Sequence, residues 1–502
     1  MAVSSWFSLR SWRRSRSARR PAPQRPEQRR RAAPAAVPLQ VVVVGGGIGG
    51  LTTALLLGRR GHRVVVVEQE PVAAPAALED ARWWWRSGAP QAAHAHVFPA
   101  RCRELLAAEA PDVLAALHRA DVTEVRLTRQ APDTLTGPVG HDARLVTLAA
   151  RRSVFEWVLR RAVLAERGVT LLSGLSAVGL TLDRAEIPQV TGVRLTGGQN
   201  LRADLVVDAA GRRSPVPGWL AAAGAPVPVT DELPGGVTSH SRFYEVRNGR
   251  PRPTGVLGGA YDGYTCRLVP ADAGAFAVTF EVPEGERAFD DLVDGRTFDR
   301  AAAAVPGFAE WLDPGTSRRS TRVARLTSAD NRLQRMTRDG RPLLVGVLSV
   351  GDAVCATSPG LGHGVALALL SAVRLVQVTD AHPGVGRSDA EARTLAMDAA
   401  ITAEIAPWFH DAAGRTGSGT AATHTPLSYP ELALAAQRDP EVWAAYTRLQ
   451  NMLVLPAAVL GDPEIVAKAR AVLASGWQPQ PDDVPSHDEL VALLAEPRLV
   501  TV

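Results

Sequence analysis

Cysteine and lysine are nearly missing from this chain of 502 residues. Cys102, Cys266 and Cys355 are odd in number and far apart, which excludes a disulfide framework and a cysteine-based metal spacing and predicts a reducing, cytoplasmic setting. Lys468 is the single lysine. No uncharged apolar run reaches the roughly 18 residues that cross a bilayer, so no segment is expected to span a membrane. No repeat of fixed period occurs, which sets aside solenoids and propellers. Positive charge is missing where a nucleic-acid binder would need it. The net charge is +5, but residues 1–40 hold ten arginines and one acid, Glu27, a surplus of nine, so the remainder carries −4. With basicity confined to a tail, the body offers no electrostatic footprint for nucleic acid.

That tail, residues 1–37, is rich in Arg, Pro, Ser and Ala and is expected to be a disordered, solvated extension or the product of a misplaced start codon. It contains twin arginines, yet no apolar stretch of about 7–15 residues follows, as an export signal requires. The rest has the balance of a globular protein, 46% hydrophobic and 21% charged over the whole chain, with length for two or three domains.

The stretch "LQVVVVGGGIGGLTTALLLGRRGHRVVVVEQE" reads as strand, glycine turn, helix, turn, strand. Its β-branched run suits a parallel strand buried on both faces, and Gly61 stands where a helix stop belongs. Within this βαβ unit Gly45, Gly47 and Gly50 form G-x-G-x-x-G: a tight turn, a close backbone approach to a pyrophosphate, and close packing of helix on strand. Glu68, at the end of the second strand, is placed to accept a ribose hydroxyl. The pattern alone does not separate a nicotinamide from a flavin.

Farther on, residues 69–99 read as a long loop carrying "RWWWRSGAPQAAHAHVF", followed by a helix from Arg101 and an amphipathic helix in "RRSVFEWVLRRAVLAERG" with Phe155, Leu159 and Val163 on one face. An antiparallel meander turns at Gly197-Gly198 and leads to the buried strand "ADLVVDAAG". Phe276, Val278, Phe280 and Val282 alternate in "AFAVTFEV". The expected fold is α/β: a Rossmann-like FAD-binding domain (38–110, 146–214 and 341–380) with an inserted antiparallel meander, a mixed-sheet substrate domain (111–145 and 215–340) and a C-terminal helical region (381–502).

The segment "GDAVCATSPGLGHGVALALLSA", residues 351–372, narrows the choice of cofactor. It follows a buried strand and opens a long apolar helix, which presents a second helix N-terminus near the first site. Asp352 can hold a polyol hydroxyl, and amides at a helix start favour negative charge. A flavin offers both a ribityl chain and a developing anion; a nicotinamide offers neither.

Together, the glycine motif with Glu68, the arginine of "PARCRELL", "DLVVDAAGRRSPV" and the G-D-x(6)-P-x-x-G-x-G segment resemble the single-chain FAD monooxygenases of the para-hydroxybenzoate hydroxylase type. "RSGAPQAAHAHVF" and "GDAVCATSPGLGHG" look closest to bacterial flavin epoxidases of polyether pathways, relatives of squalene epoxidase. The resemblance covers roughly residues 38–380. It implies that Glu68 binds the adenosine ribose, Arg101 the pyrophosphate and Asp352 the ribityl chain. It also sets Gly362, His363 and Gly364 near the pyrimidine edge and Arg152 close to the cofactor. Gln91, His94 and His96 fall on a loop near the flavin, with no metal expected. Two departures stand out: Cys355 replaces a histidine found in many aromatic hydroxylases, and Asp208-Ala209 replaces an Asp-Gly linked to FAD and NADPH.

The implied activity is monooxygenation, epoxidation or hydroxylation, of an apolar or aromatic small molecule in secondary metabolism through a flavin C4a-hydroperoxide. Molecular oxygen is a co-substrate, and NAD(P)H or a partner flavin reductase supplies electrons. No catalytic acid–base pair is identified. The alternatives are a flavin-dependent halogenase, for which the W-x-W-x-I-P segment is missing, a non-redox flavoprotein cyclase, and a flavin-binding protein without catalysis. A Ser-His-Asp reading of Ser358 and His363 fails for want of a G-x-S-x-G elbow. Trp83, Trp84 and Trp85 read as packing residues.

Overall fold

The computed structural model describes residues 37–71, 73–328, 330–415, 426–478 and 484–495. The arginine-rich tail, apart from Val37, and most of the Gly/Thr loop at 414–425 lie outside the described residues.

In chain order, the elements that build the site are β1 (Gln40–Val44), α1 (Ile48–Arg59), β2 (Arg63–Glu68), α2 (Arg152–Ala165), β3 (Val169–Ser173), β4 (Leu205–Asp208), β5 (Val237–Val246), β6 (Ala275–Pro283), β7 (Val347–Ser349) and α3 (Gly364–Ala381). Five of the strands form a parallel sheet in the order β7-β4-β1-β2-β3. Strand β1 is central, and Val41 to Val44 are all buried, because helices cover the face of Val41 and Val43, the antiparallel meander covers the face of Val42 and Val44, and each face needs apolar side chains. Branching at Cβ costs these valines little in extended backbone. Helix α3 lies along α1: a Cβ on Gly49 would come 3.7 Å from the Cβ of Ala368. By length and composition α3 could cross a bilayer, but most of it is buried inside the protein.

Between β3 and β4 the chain forms the antiparallel meander Ala177–Asp183, Gln189–Leu195 and Asn200–Arg202. Gly197 and Gly198 turn it at φ of +85° and +84°, which side chains with a Cβ avoid.

A second sheet of six strands pairs antiparallel at every ladder: Leu257–Ala260, Thr265–Pro270, β6, β5 and Ser317–Arg319, with Ala324–Thr327 also on β5. Period-two alternation gives it two unlike faces. Tyr244, Phe276, Val278, Phe280 and Val282 build a core with Phe289, Phe298 and Phe308; the opposite face carries Ser239, Ser241, Thr279 and Glu281. The C-terminal helices divide between two cores. Tyr429–Ala435, Pro440–Gln450 and Pro463–Ala474 join the core around α1 and α3, whereas His487–Ala495 sends Leu490 and Leu494 into the aromatic core of the second sheet.

One buried ion pair ties the second sheet to the parallel domain. Arg151, just ahead of α2, donates from Nη2 to Asp272 Oδ2 at 2.5 Å and from Nε to Oδ1 at 3.1 Å, and its backbone amide donates to Oδ1 at 2.8 Å. The guanidinium lies 4.4 Å from the Trp83 ring centroid, a cation–π contact in a water-poor setting.

Candidate active site

Between Val44 and Ile48 three glycines turn the chain. Gly45 has φ +107°, and a Cβ there would meet the Ala209 carbonyl oxygen at 2.4 Å; on Gly50 it would meet the Gly45 carbonyl oxygen at 2.0 Å. Gly47 differs. Its backbone is ordinary, φ −81° and ψ −174°, and a Cβ there would find nothing within 4 Å. Nothing inside the chain requires glycine at position 47, which fits a phosphate brought against the backbone. Helix α1 also begins without a side-chain cap, so its first amides are available to an anion. Gly47→Ala is expected to keep the melting temperature of the parent while weakening FAD binding. Gly50→Ala is expected to lower both, since overpacking costs about 1–3 kcal/mol. Melting curves and FAD titrations on the two variants check this.

Glu68 ends β2 beneath that turn. Its Oε2 accepts from the Gly46 amide at 2.8 Å, and its Oε1, with a second lone pair to spare, accepts from the Glu70 amide at 2.9 Å. Arg86, which sequence reasoning missed, organises the group. It reaches Glu68 at 2.8 Å, Glu70 at 2.7 Å, Glu156 at 3.2 Å and the Gly46 carbonyl at 3.2 Å. Burial pushes the Glu156 carboxyl up, but Arg152 and Arg86 outweigh it and hold it below its ordinary value. Arg86 opens the quoted "RSGAPQ" stretch, but only the fold puts it under the glycine turn.

The second motif follows β7, the end strand of the parallel sheet. Gly351, at φ +62°, comes close to the first helix: a Cβ on Gly49 would lie 3.7 Å from its N and Cα. Gly364 opens α3, and a Cβ there would lie 3.9 Å from Asp352 Oδ1. Gly362 takes the left-handed conformation, φ +68°, and α3 starts without a side-chain cap. Burial raises the Asp352 carboxyl above its ordinary value, opposed by Arg152, Arg212 and Arg332. Arg152 thus acts on Asp352 through its charge, while its Nε donates to Glu156 at 2.7 Å. Arg212, within "GRRSPV", was also missed. Asp208 serves its own turn, accepting from Ser214 at 2.6 Å and from the Ala210 amide at 3.1 Å.

Two of the sequence-derived site residues turn elsewhere. Arg101 directs its guanidinium to Glu104 at 3.4 Å. The His363 ring is fully buried, edge-on to Trp408 at 5.3 Å between centroids, so the expectation at this position concerns its backbone alone. Neighbouring side chains at a helix start diverge by about 100°, so Gly364 faces Asp352 while the His363 ring enters the C-terminal helices. Cys355 is buried in the core and pairs in register with Leu333.

The loop before residue 97 lies on the polar face of the second sheet. His94 Nδ1 is 2.8 Å from Ser241 Oγ, which is 2.8 Å from Thr279 Oγ1; His96 Nδ1 is 3.0 Å from the His94 carbonyl. Burial, reinforced by His240, depresses His94 to about 4. A histidine held below its unfolded value contributes stability that is present above about pH 6.5 and is lost as pH falls toward 4. Replacing it by glutamine should reduce the slope of stability against pH in that window by about 1.4 kcal/mol per unit, read from urea denaturation at pH 7, 6 and 5. Trp84 is buried, whereas Trp83, edge-on to Phe243, and Trp85 are both exposed.

Residues 40–151 match the family model described as FAD dependent oxidoreductase. Among solved structures, a PqsL variant from Pseudomonas aeruginosa superposes with a TM-score of 0.56 at 21% identity, over 81% of this chain and 99% of its own. The p-nitrophenol 4-monooxygenase PnpA from Pseudomonas putida gives 0.51 at 15%, over 87% and 97%. The flavin-dependent halogenase CmlS gives 0.51 at 16%, over 91% and 76%. Residues 40–151 therefore match an FAD dependent oxidoreductase domain, and the chain has the fold of flavin monooxygenases and flavin-dependent halogenases.

Proposed function

We propose that this protein is an FAD-dependent monooxygenase that hydroxylates or epoxidises a small aromatic or apolar molecule, with a polyether-type epoxidase in secondary metabolism as its nearest kind. The observation that carries the reading is the meeting of two uncapped helix starts, with Gly49 against Gly351 and Asp352 against Gly364. Reduced FAD supplies two-electron activation of molecular oxygen when bound. The chain's own task is to bind, orient and exclude water. In this reading the amides of Gly47 and the first turn of α1 hold the pyrophosphate, Arg101 exchanges its long Glu104 contact for the same group, Glu68 accepts a ribose hydroxyl, and Asp352 holds the ribityl chain. The backbone of Gly362 and Gly364 lines the pyrimidine edge, and Arg152 supplies positive charge beside it. Lys468 pairs with Glu441 and Glu464, which disfavours a halogenase that relies on a lysine beside the flavin.

Electrons come from NAD(P)H or a partner flavin reductase. The test is to load the purified protein with FAD, then follow oxygen uptake with NADPH, with NADH, and with an added flavin reductase. Retained FAD and uptake in at least one arm are expected. A protein that retains FAD but consumes no oxygen in any arm overturns monooxygenation in favour of the non-redox cyclase.

A further inference from the structure

The polar face of the second sheet contains a carboxylate that the cofactor site does not use. In the antiparallel register Ser239 and Thr265 lie opposite Glu281, and Ser241 and Arg267 lie opposite Thr279, so all six share one face. Glu281 is only weakly satisfied there. Its Oε1 accepts from Ser239 at 3.4 Å and its Oε2 from Arg267 at 3.5 Å, both at the outer limit of a hydrogen bond, although an ionised carboxylate has about four acceptor positions. It also meets the second glycine motif: a Cβ on Gly360 would come 3.1 Å from Oε2. Burial raises this carboxyl above its ordinary value, with Arg267 and Ser239 opposing.

We propose that Glu281 determines specificity by accepting a hydrogen bond from an O–H or N–H on the substrate, which makes the preferred class a phenol or arylamine rather than a plain hydrocarbon. This rests on the monooxygenase reading, because it takes the turn at 358–362 as the edge of the flavin site. Arg267 and Ser239 act as positioning residues that steady the carboxylate. Gly360 keeps the approach to Oε2 open, since any side chain there would press on it.

The probes are 2-naphthol and its methyl ether, 2-methoxynaphthalene, titrated calorimetrically into the FAD-loaded protein. They share a ring system, but only one carries a donor. The parent should prefer 2-naphthol by about tenfold or more, the worth of a hydrogen bond to a charged acceptor. Glu281→Leu should bring the ratio near one, and the nearly isosteric Glu281→Gln should give an intermediate ratio even if the leucine variant fails to fold. An unchanged ratio in the folded variants, no preference in the parent, or binding of neither probe by the FAD-loaded parent overturns the assignment. Failure of the parent to retain FAD, seen in its visible spectrum before any probe is added, overturns the flavin-site reading itself.

Discussion

Arg86→Met yields a protein that holds FAD at least tenfold more weakly and is less stable by about 3–5 kcal/mol, the cost of removing one partner from a buried ion pair. Arg86 is the shared cation of Glu68, Glu70 and Glu156. Methionine fills similar volume but leaves three neighbouring carboxylates without their shared cation, so their mutual repulsion drives them apart. A displaced Glu68 no longer accepts well from both the Gly46 amide and a ribose hydroxyl, and the Gly46 carbonyl loses its own donor. Arg86→Lys keeps the charge but not the planar fork that reaches several acceptors at once, and should recover only part of the loss. FAD titration and denaturant unfolding of both variants provide the check. Unaltered FAD affinity in Arg86→Met would separate Glu68 from the cofactor.

Asp272→Ala weakens the seam between the parallel domain and the antiparallel sheet by a similar 3–5 kcal/mol. Arg151 and Asp272 are both essentially inaccessible, so deleting the acid leaves a buried guanidinium with the Trp83 face, Glu245 at 3.9 Å and the Asp272 carbonyl at 3.5 Å as its remaining support. The backbone amide of Arg151, which donates to Asp272 Oδ1 at 2.8 Å, also loses its acceptor. Asp272→Asn preserves one acceptor and should cost less. Denaturant curves on the FAD-loaded proteins give the ordering parent, asparagine, alanine; equal midpoints would show that the seam draws its strength from elsewhere.

Much of the nucleotide half was legible in sequence because its signals are local. Four consecutive valines, glycines at fixed offsets and an acid at the end of the next strand each constrain a neighbour within a few residues, so β1, α1 and β2 follow from short-range stereochemistry. The alternation of Phe276, Val278, Phe280 and Val282 likewise announced which face of its strand is apolar. Arg86 was not legible: it sits in a loop without periodicity, and its three acidic partners come from β2, the segment after it and α2. The direction of the His363 ring was not legible for a related reason. The motif specifies the backbone at a helix start, while the direction of the ring depends on Trp408, supplied by a distant helix.

The βαβ unit, the glycine turn and the alternating strands could be read from the residues alone, since backbone conformation and side-chain period are set by neighbours close along the chain. That Gly49 meets Gly351, that Arg86 binds three carboxylates and that Glu281 faces Gly360 emerged from the folded chain. Those encounters join positions up to about three hundred residues apart, and nothing local encodes them; they follow from how strand order and helix packing fold the chain back on itself.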